Sequence, residues 1–180
     1  MSTPLDRWAQ GPQGGQTSNY DNWDQMVGAA PHDDVRSTVT NAVRQMDPQE
    51  YYDHTQPGVG GTNPLGNLAQ PQRTGLAQTL LNALLGMGLG QQTISQGAGI
   101  QTLDPSRMSP QDLAALAQWT QRNHPEALGQ VAAENRDNPG LIESLLGNKA
   151  LMMLVAGLGA KYLSDRANQQ RQQNGGSYRK

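Results

Sequence analysis

Glu50 and His54 are the residues whose types and spacing come closest to a chemical site. They stand four positions apart, so a helix would place both on one face, with Asp47 and Asp53 close by. A carboxylate beside an imidazole could serve as a general acid–base pair or as part of a metal site. The three histidines, at positions 32, 54 and 124, form no H-x-x-H or HExxH pair, which favours the alternative of a solvated helix end. We therefore predict no catalytic residue, no metal ligand and no cofactor.

Two glycine-rich runs have the composition, but not the context, of phosphate-binding loops. Neither PGVGGTNPLG (57–66) nor GMGLG (86–90) is followed by Lys-Ser or Lys-Thr, and neither is preceded by a strand pattern. Ser95 has no base candidate nearby and no G-x-S-x-G motif around it, and the lack of cysteine removes thiolate chemistry and Cys-ligated metals. We interpret these motifs as turns and helix ends, and predict that the chain is not an enzyme.

The composition predicts that helices are the elements that position these residues. Hydrophobic residues make up 35% of the chain and aromatic residues 4%, with no Phe. No stretch alternates apolar and polar residues for long enough to predict a strand. A chain of 180 residues suits one domain. We predict an all-α fold, a compact bundle of short helices.

The stretch NKALMMLVAGLGAKYL (148–163) is predicted to be the central apolar helix of this bundle. Apolar residues recur there at helical spacing, and further apolar residues predict that water is excluded from nearly all of its faces. Gly157 and Gly159 each cost about 1 kcal/mol relative to Ala in a helix, so we expect a neighbouring helix to approach closely there. The apolar run is about half the ~20 residues of a membrane span, and no membrane association is expected.

Apolar periodicity and capping residues predict the remaining helices. In chain order they are a short helix that ends before Pro31, a helix capped by Asp33 with Val35, Val39, Ala42, Val43 and Met46 inward, a short helix opened by Asp47-Pro48, a helix over 71–85 with Leu76, Leu80, Leu81, Leu84 and Leu85 inward, a helix opened by Ser109-Pro110, a helix over 126–135, and a short helix opened by Asn138-Pro139. The stretch between Gly90 and Ser109 is predicted to be a loop.

The chain divides into three regions by composition. Residues 1–20 are rich in Gly, Gln and Ser and are predicted to be a disordered arm. Residues 21–165 are predicted to form the helical domain, with a long Gly/Pro-rich loop at 56–70, and residues 166–180 a disordered basic tail. The N-terminus has no apolar segment of the kind found in secretion signals, so we expect a cytoplasmic location.

Leucine-rich helix ends that run into glycine are the most distinctive pattern in the second half of the chain. LLNALLGMGLG (80–90) and LIESLLGN (141–148), followed by an apolar glycine-containing helix, resemble small uncharacterised bacterial helical proteins of the YidB-like type. The resemblance covers Pro71 to Leu163 and leaves out the N-terminal third. It implies a bacterial, cytoplasmic helical protein and brings no catalytic residues to this chain.

These patterns predict a non-enzymatic protein-interaction or assembly protein, with a protein partner or a second copy of the chain as ligand. Trp8, Tyr20 and Trp23 are large apolar groups on or beside the N-terminal arm, and they either fold back on the domain or dock onto a partner. The first of these two alternatives would make them structural, and the second would make them the partner-binding residues.

The alternative function is that of a nucleic-acid-binding accessory protein, of a stress-response kind. The basic tail carries Arg166, Arg171, Arg179 and Lys180, which could contact phosphates together with exposed arginines of the domain. The formal net charge of −2 predicts no global attraction to nucleic acid, so such binding would be weak.

Overall fold

The structure, a computed structural model, describes residues 27–55, 64–138, 140–147, 153–154, 156–161 and 164. Within these ranges all regular structure is helical and no strand is present, which confirms the predicted all-α class. The predicted arm at 1–20 and tail at 166–180 lie outside the described residues, and so do residues 56–63 of the Gly/Pro-rich loop.

Six helices of the described ranges have well-defined limits. They are α1 (His32–Gln45), α2 (Pro48–Thr55), α3 (Gln70–Gly86), α4 (Gln91–Ala98), α5 (Pro110–Asn123) and α6 (Pro125–Glu134). Residues 140–147 form a further helix, α7, and the helical residues 153–154, 156–161 and 164 are here called the C-terminal segment.

Helix α1 follows the predicted valine stripe, since Val35, Val39 and Val43 are fully buried. Its beginning differs from the prediction, because Pro31 occupies the N-cap position and makes no side-chain cap hydrogen bond. Asp33 lies in the first turn, where a carboxylate is favoured by the helix dipole. Its Oδ1 atom is 3.1 Å from a guanidinium nitrogen of Arg36.

Two glycines allow neighbouring helices to approach α1 closely. Helix α1 packs most extensively against α6. A Cβ atom at Gly129 of α6 would lie 2.2 Å from Thr40 Oγ1 and 2.6 Å from the carbonyl oxygen of Arg36. A Cβ atom at Gly157 would lie 2.5 Å from Thr38 Cγ2. The close approach predicted at Gly157 is therefore confirmed, and the neighbouring helix is α1.

Ion pairs join the same elements near both ends of α1. Arg44 pairs with Glu126 at the start of α6, and Lys161 of the C-terminal segment pairs with Asp34. These side chains are partly exposed, so each pair contributes little to stability.

The C-terminal segment is buried on one side only. Leu154 and Leu158 lie in the core, as predicted, whereas Ala156 and Ala160 are exposed. The prediction that water is excluded from nearly all faces is wrong at these alanines, because a methyl group tolerates the surface and alanine favours a helix wherever it lies. No helix among the described residues is long and apolar enough to cross a bilayer.

Helix α3 buries the predicted leucines Leu76, Leu80, Leu81 and Leu84. Leu85 is the exception, because 40% of its surface is exposed. The buried residues Leu76, Leu80, Ala83 and Leu84 lie on one face of α3. Leu85 follows Leu84 directly in the sequence, so its side chain points away from that face. The prediction that Leu85 faces inward is therefore wrong.

Helix α4 occupies a stretch that was predicted to be a loop. Its sequence, QQTISQGA, contains one large apolar residue, Ile94, and therefore shows no apolar stripe. Ile94 is fully buried, and a Cβ atom at Gly97 would lie 2.5 Å from the indole of Trp119. The helix ends at Gly99, which has a left-handed φ of 68°. Packing against α5 stabilises a helix that local propensity does not predict.

The capping predictions hold for α2 and α5, and the helix predicted after Asn138 is present as α7. The backbone N–H of Gln49 donates to Asp47 Oδ1 at 2.7 Å, and the N–H of Asp112 donates to Ser109 Oγ at 3.1 Å. Helix α7 begins after Asn138 and buries Leu141, Ile142, Leu145 and Leu146.

Candidate functional site

The carboxylates around Glu50 and His54 serve the local helix structure. Asp47 caps Gln49, and the Gln49 Nε2 atom donates to Asp53 Oδ1 at 3.0 Å, one helical turn away. Across the described part of the chain, no three His, Asp or Glu side chains are grouped so that they could hold a metal ion. Within that part of the chain, the structure assembles no site around this pair.

His54 faces the end of α7. A Cβ atom at Gly147 would lie 3.1 Å from the imidazole ring, so the ring packs directly on the backbone there, where φ is 77°. Burial lowers the pKa of His54, and the carbonyls of Ser144 and Glu143 and the Glu143 carboxylate oppose this shift. The neutral imidazole therefore anchors α7 to α2.

A polar contact joins α2 to α5. Gln118 Nε2 donates to Thr55 Oγ1 at 2.8 Å, and the same hydroxyl donates to the Tyr51 carbonyl at 2.9 Å. The Tyr51 side chain is fully buried, and burial raises the pKa of its hydroxyl. The enclosed aromatic ring of Tyr51 contributes to the packing of the core.

The predicted partner-binding and nucleic-acid-binding residues were on the arm and the tail. Trp8, Tyr20 and Trp23 lie outside the described residues, as do Arg166, Arg171, Arg179 and Lys180. These assignments therefore stay predictions.

Most arginines of the described ranges are held by other groups of the domain. Arg36 and Arg44 pair with carboxylates, Arg136 Nη1 donates to the Ala30 carbonyl at 2.8 Å, and Arg73 Nη1 donates to the Leu68 carbonyl at 3.2 Å. Arg107 and Arg122 are exposed on separate elements. The described surface thus offers few arginines for contacts with phosphates.

The face of α3 that points away from the core is a different kind of surface. It consists of exposed residues at helical spacing, namely Pro71, Gly75, Gln78, Asn82 and Leu85, and is here called the outer face of α3. Gln78 Nε2 donates to Asn82 Oδ1 at 3.1 Å near its middle. None of its residues carries a formal charge.

The lack of charge extends well beyond this face. Arg73 is the only Asp, Glu, Lys or Arg between Asp53 and Asp104, although such residues make up 16% of the chain. The Arg73 side chain is partly buried and held by the Leu68 carbonyl. Depletion of charge distinguishes the centre of a protein interface from the rest of a protein surface.

The outer face of α3, which carries no charge, also has a depression and exposed apolar side chains. An open depression of about 580 Å³ lies along its N-terminal half, lined by Gln70, Pro71, Thr74, Gly75 and Gln78. At its C-terminal end Leu85 is 40% exposed and Met87 is 43% exposed, and these are the exposed large hydrophobic residues of the described ranges. A depression thus lies along one half of α3, and exposed apolar residues lie at its other end, Leu85 within the helix and Met87 just after it.

The comparisons with known proteins add no assignment for this surface. No protein-family model, curated protein or solved structure matches the chain. The resemblance to YidB-like proteins stays a hypothesis.

Sequence reasoning missed the outer face of α3 because it treated Leu85 as one more core leucine. Two signals were present in the sequence. One is the charge-free run on both sides of Arg73. The other is Gly75, which lies within α3 although glycine is unfavourable in a helix. Neither signal shows up in a search for catalytic motifs.

Proposed function

We propose that this protein acts by binding other protein chains and performs no catalysis, as an interaction or assembly protein. The observation that carries the proposal is the exposure of Leu85 and Met87 at the end of an uncharged helix face. Exposed apolar groups surrounded by uncharged polar groups are typical of binding surfaces. Methionine suits such a surface because its flexible side chain adapts to the partner.

The surroundings of the acid–base candidates support the non-enzymatic part of the proposal. His54 packs its ring against Gly147, and Asp47 and Asp53 accept hydrogen bonds from Gln49. A general base must reach the proton that it removes from a substrate. These groups contact the helices of the domain instead.

Affinity capture from the native host tests the proposal. The full chain and a Leu85→Ser/Met87→Ser variant serve as baits, and mass spectrometry identifies the bound proteins, including endogenous copies of the chain. We expect specific partners that the variant loses. Asn41→Ser/Gln45→Ser, at exposed positions of α1, is the matched control and should retain them. A set of partners that is the same for all three baits would contradict the proposal.

Nucleic-acid binding through the basic tail is the alternative, and the charge of residues 165–180 is the observation in its favour. That stretch has three Arg and one Lys against one Asp. Each neutralised phosphate contributes about 0.9 log units of affinity per decade of salt, so binding through a few contacts fades at physiological salt. A mobility shift that persists there after deletion of 165–180 would contradict the assembly proposal and place a nucleic-acid site on the helical domain.

A further inference from the structure

From the geometry of the outer face of α3 we infer that it binds a second copy of the same chain, with the two helices antiparallel across a two-fold axis. The inference rests on the proposed function and names the partner. In a two-fold contact each residue faces a residue of the same patch, so the patch must be complementary to itself. A patch without charge meets this condition, because no like charges are brought together.

The surfaces of α1 and α2 meet this condition less well. Helices α1 and α2, together with Asp47 between them, carry Asp33, Asp34, Asp47, Glu50 and Asp53 against Arg36 and Arg44. Two copies that approached through these helices would bring acidic groups together in a chain whose net charge is already −2. Like-charge contacts across an interface cost several kcal/mol. A charged partner, in turn, would find nothing to pair with on the outer face of α3.

The spacing of residues along α3 sets the register of this contact. An axis that crosses the helix midway between Gln78 and Asn82 places Gln78 of each copy opposite Asn82 of the other. The same axis places Leu85 of each copy opposite Gly75 of the other. Gly75 and Leu85 are ten positions apart, which corresponds to about 15 Å along a helix. All four residues are exposed and share one side of α3.

The shape of the face fits this register. Gly75 lies in the depression along the N-terminal half of α3, and no atom of the described residues lies within 4 Å of a Cβ built on it. Leu85, at the other end, is 40% exposed. The antiparallel arrangement therefore inserts the leucine of each copy into the depression of the other, and Met87 covers the edge.

The polar groups at the axis can also be satisfied. Within one chain Gln78 Nε2 donates to Asn82 Oδ1 at 3.1 Å. Each amide has two N–H donors and two acceptor positions, so both side chains keep capacity for the amides of the second copy. Amide pairs of this kind would set the register without introducing charge.

The size of the face limits the strength of the contact. A helix of 17 residues is about 25 Å long, and one face of it buries less than the ~800 Å² per partner of a standard interface. We therefore expect reversible association with a micromolar or weaker dissociation constant, visible as a concentration-dependent mass.

Two charge variants of the full chain test the inference. Gln78→Glu/Asn82→Glu places acidic groups opposite each other at the axis, and Gln78→Lys/Asn82→Lys places basic groups there. We expect each variant alone to associate about a hundredfold more weakly than the natural chain, because like charges meet. We expect a one-to-one mixture to associate at least as tightly as the natural chain. Sedimentation velocity over a range of concentrations measures all three.

Asn41→Glu/Gln45→Glu is the control, since both residues are exposed on α1 and have the same four-residue spacing. It should associate like the natural chain, and circular dichroism should show that every variant is folded. The inference is wrong if the natural chain stays monomeric, if the variants associate unchanged, or if the mixture does not recover association. A monomeric chain that still captures another protein through Leu85 and Met87 would overturn the inference and leave the proposed function standing.

Discussion

Gly129 lies within helix α6 and Gly75 lies within helix α3, and the surroundings of the two glycines are opposite. A Cβ atom at Gly129 would lie 2.2 Å from Thr40 Oγ1 and 2.6 Å from the Arg36 carbonyl, whereas at Gly75 no atom of the part of the chain that the structure describes lies within 4 Å. Glycine costs about 1 kcal/mol in a helix relative to alanine. At Gly129 the contact between α1 and α6 offsets this cost. Among the described residues nothing offsets it at Gly75, and the proposed contact with a second copy would do so.

Charge separates the same two regions. The helices around α1 are joined by the pairs Arg44–Glu126 and Asp34–Lys161. The outer face of α3 has no charged residue to direct a neighbour. A contact within one chain is kept in register by the chain itself as well as by such pairs. A contact between chains at a neutral face depends on shape and on amide hydrogen bonds.

The largest effect is expected for Leu154→Asp, which tests whether the packed region includes the C-terminal segment. Leu154 is fully buried in the core. A carboxylate there must either lose its hydration or become protonated, so we expect a loss of about 4 kcal/mol or more, close to the whole stability of many domains. Circular dichroism should show loss of the helical signal. An unchanged thermal midpoint would place this segment at the periphery.

A smaller loss of stability is expected for Gly129→Ala, which tests the close contact between α1 and α6. The added methyl collides with the Arg36 carbonyl, a backbone atom that can move only together with α1. After the gain in helix propensity we expect a net destabilisation of about 2 kcal/mol, or roughly 4–8 °C in Tm. Denaturant unfolding measures it. Unchanged or increased stability would mean that α1 and α6 are not in such close contact.

The pH dependence of stability should come from the packed region, through His54. Its pKa in the folded protein lies below the ordinary value of 6.5. The unfolded chain therefore binds more protons between the two pKa values, and stability is lost as the pH falls through 6.5 toward the folded pKa. His54→Gln should flatten this slope, and His32→Gln, at an exposed position in α1, should leave it in place. A slope that survives His54→Gln would assign the pH dependence to other groups.

Local signals predicted the elements, while contacts between them decided which residues are exposed. The valine stripe of α1 and the Ser109–Asp112 capping box of α5 are patterns within a few residues, and both were predicted. Helix α4 was not, because its stability depends on the contact between Gly97 and Trp119, which are distant in sequence. Leu85 looked like the leucines beside it, and only the position of α3 in the bundle shows that it is exposed.

The candidate site was harder to predict for a related reason. The side-chain types of Glu50 and His54 suggested a site, but His54 packs on Gly147, and the neighbouring Asp47 and Asp53 accept hydrogen bonds from Gln49. The outer face of α3 is defined by what its residues share, namely exposure and neutrality. Neutrality can be read from the sequence between Asp53 and Asp104, whereas exposure requires the fold.

The smallest change in stability is expected for Gly75→Ala, and the sign of this change tests whether the surroundings of Gly75 are open. Because no atom of residues 27–55, 64–138, 140–147 or the C-terminal segment lies within 4 Å of the added methyl, the substitution should gain helix propensity without a collision. We expect a stabilisation of about 0.5–1 kcal/mol, or roughly 2 °C in Tm, when unfolding is measured at a concentration where the chain is monomeric. A loss of stability under those conditions would show that part of the same chain packs on Gly75. The outer face of α3 would then be covered within the monomer, and Gly75 and Gly129 would differ only in how closely their neighbours approach.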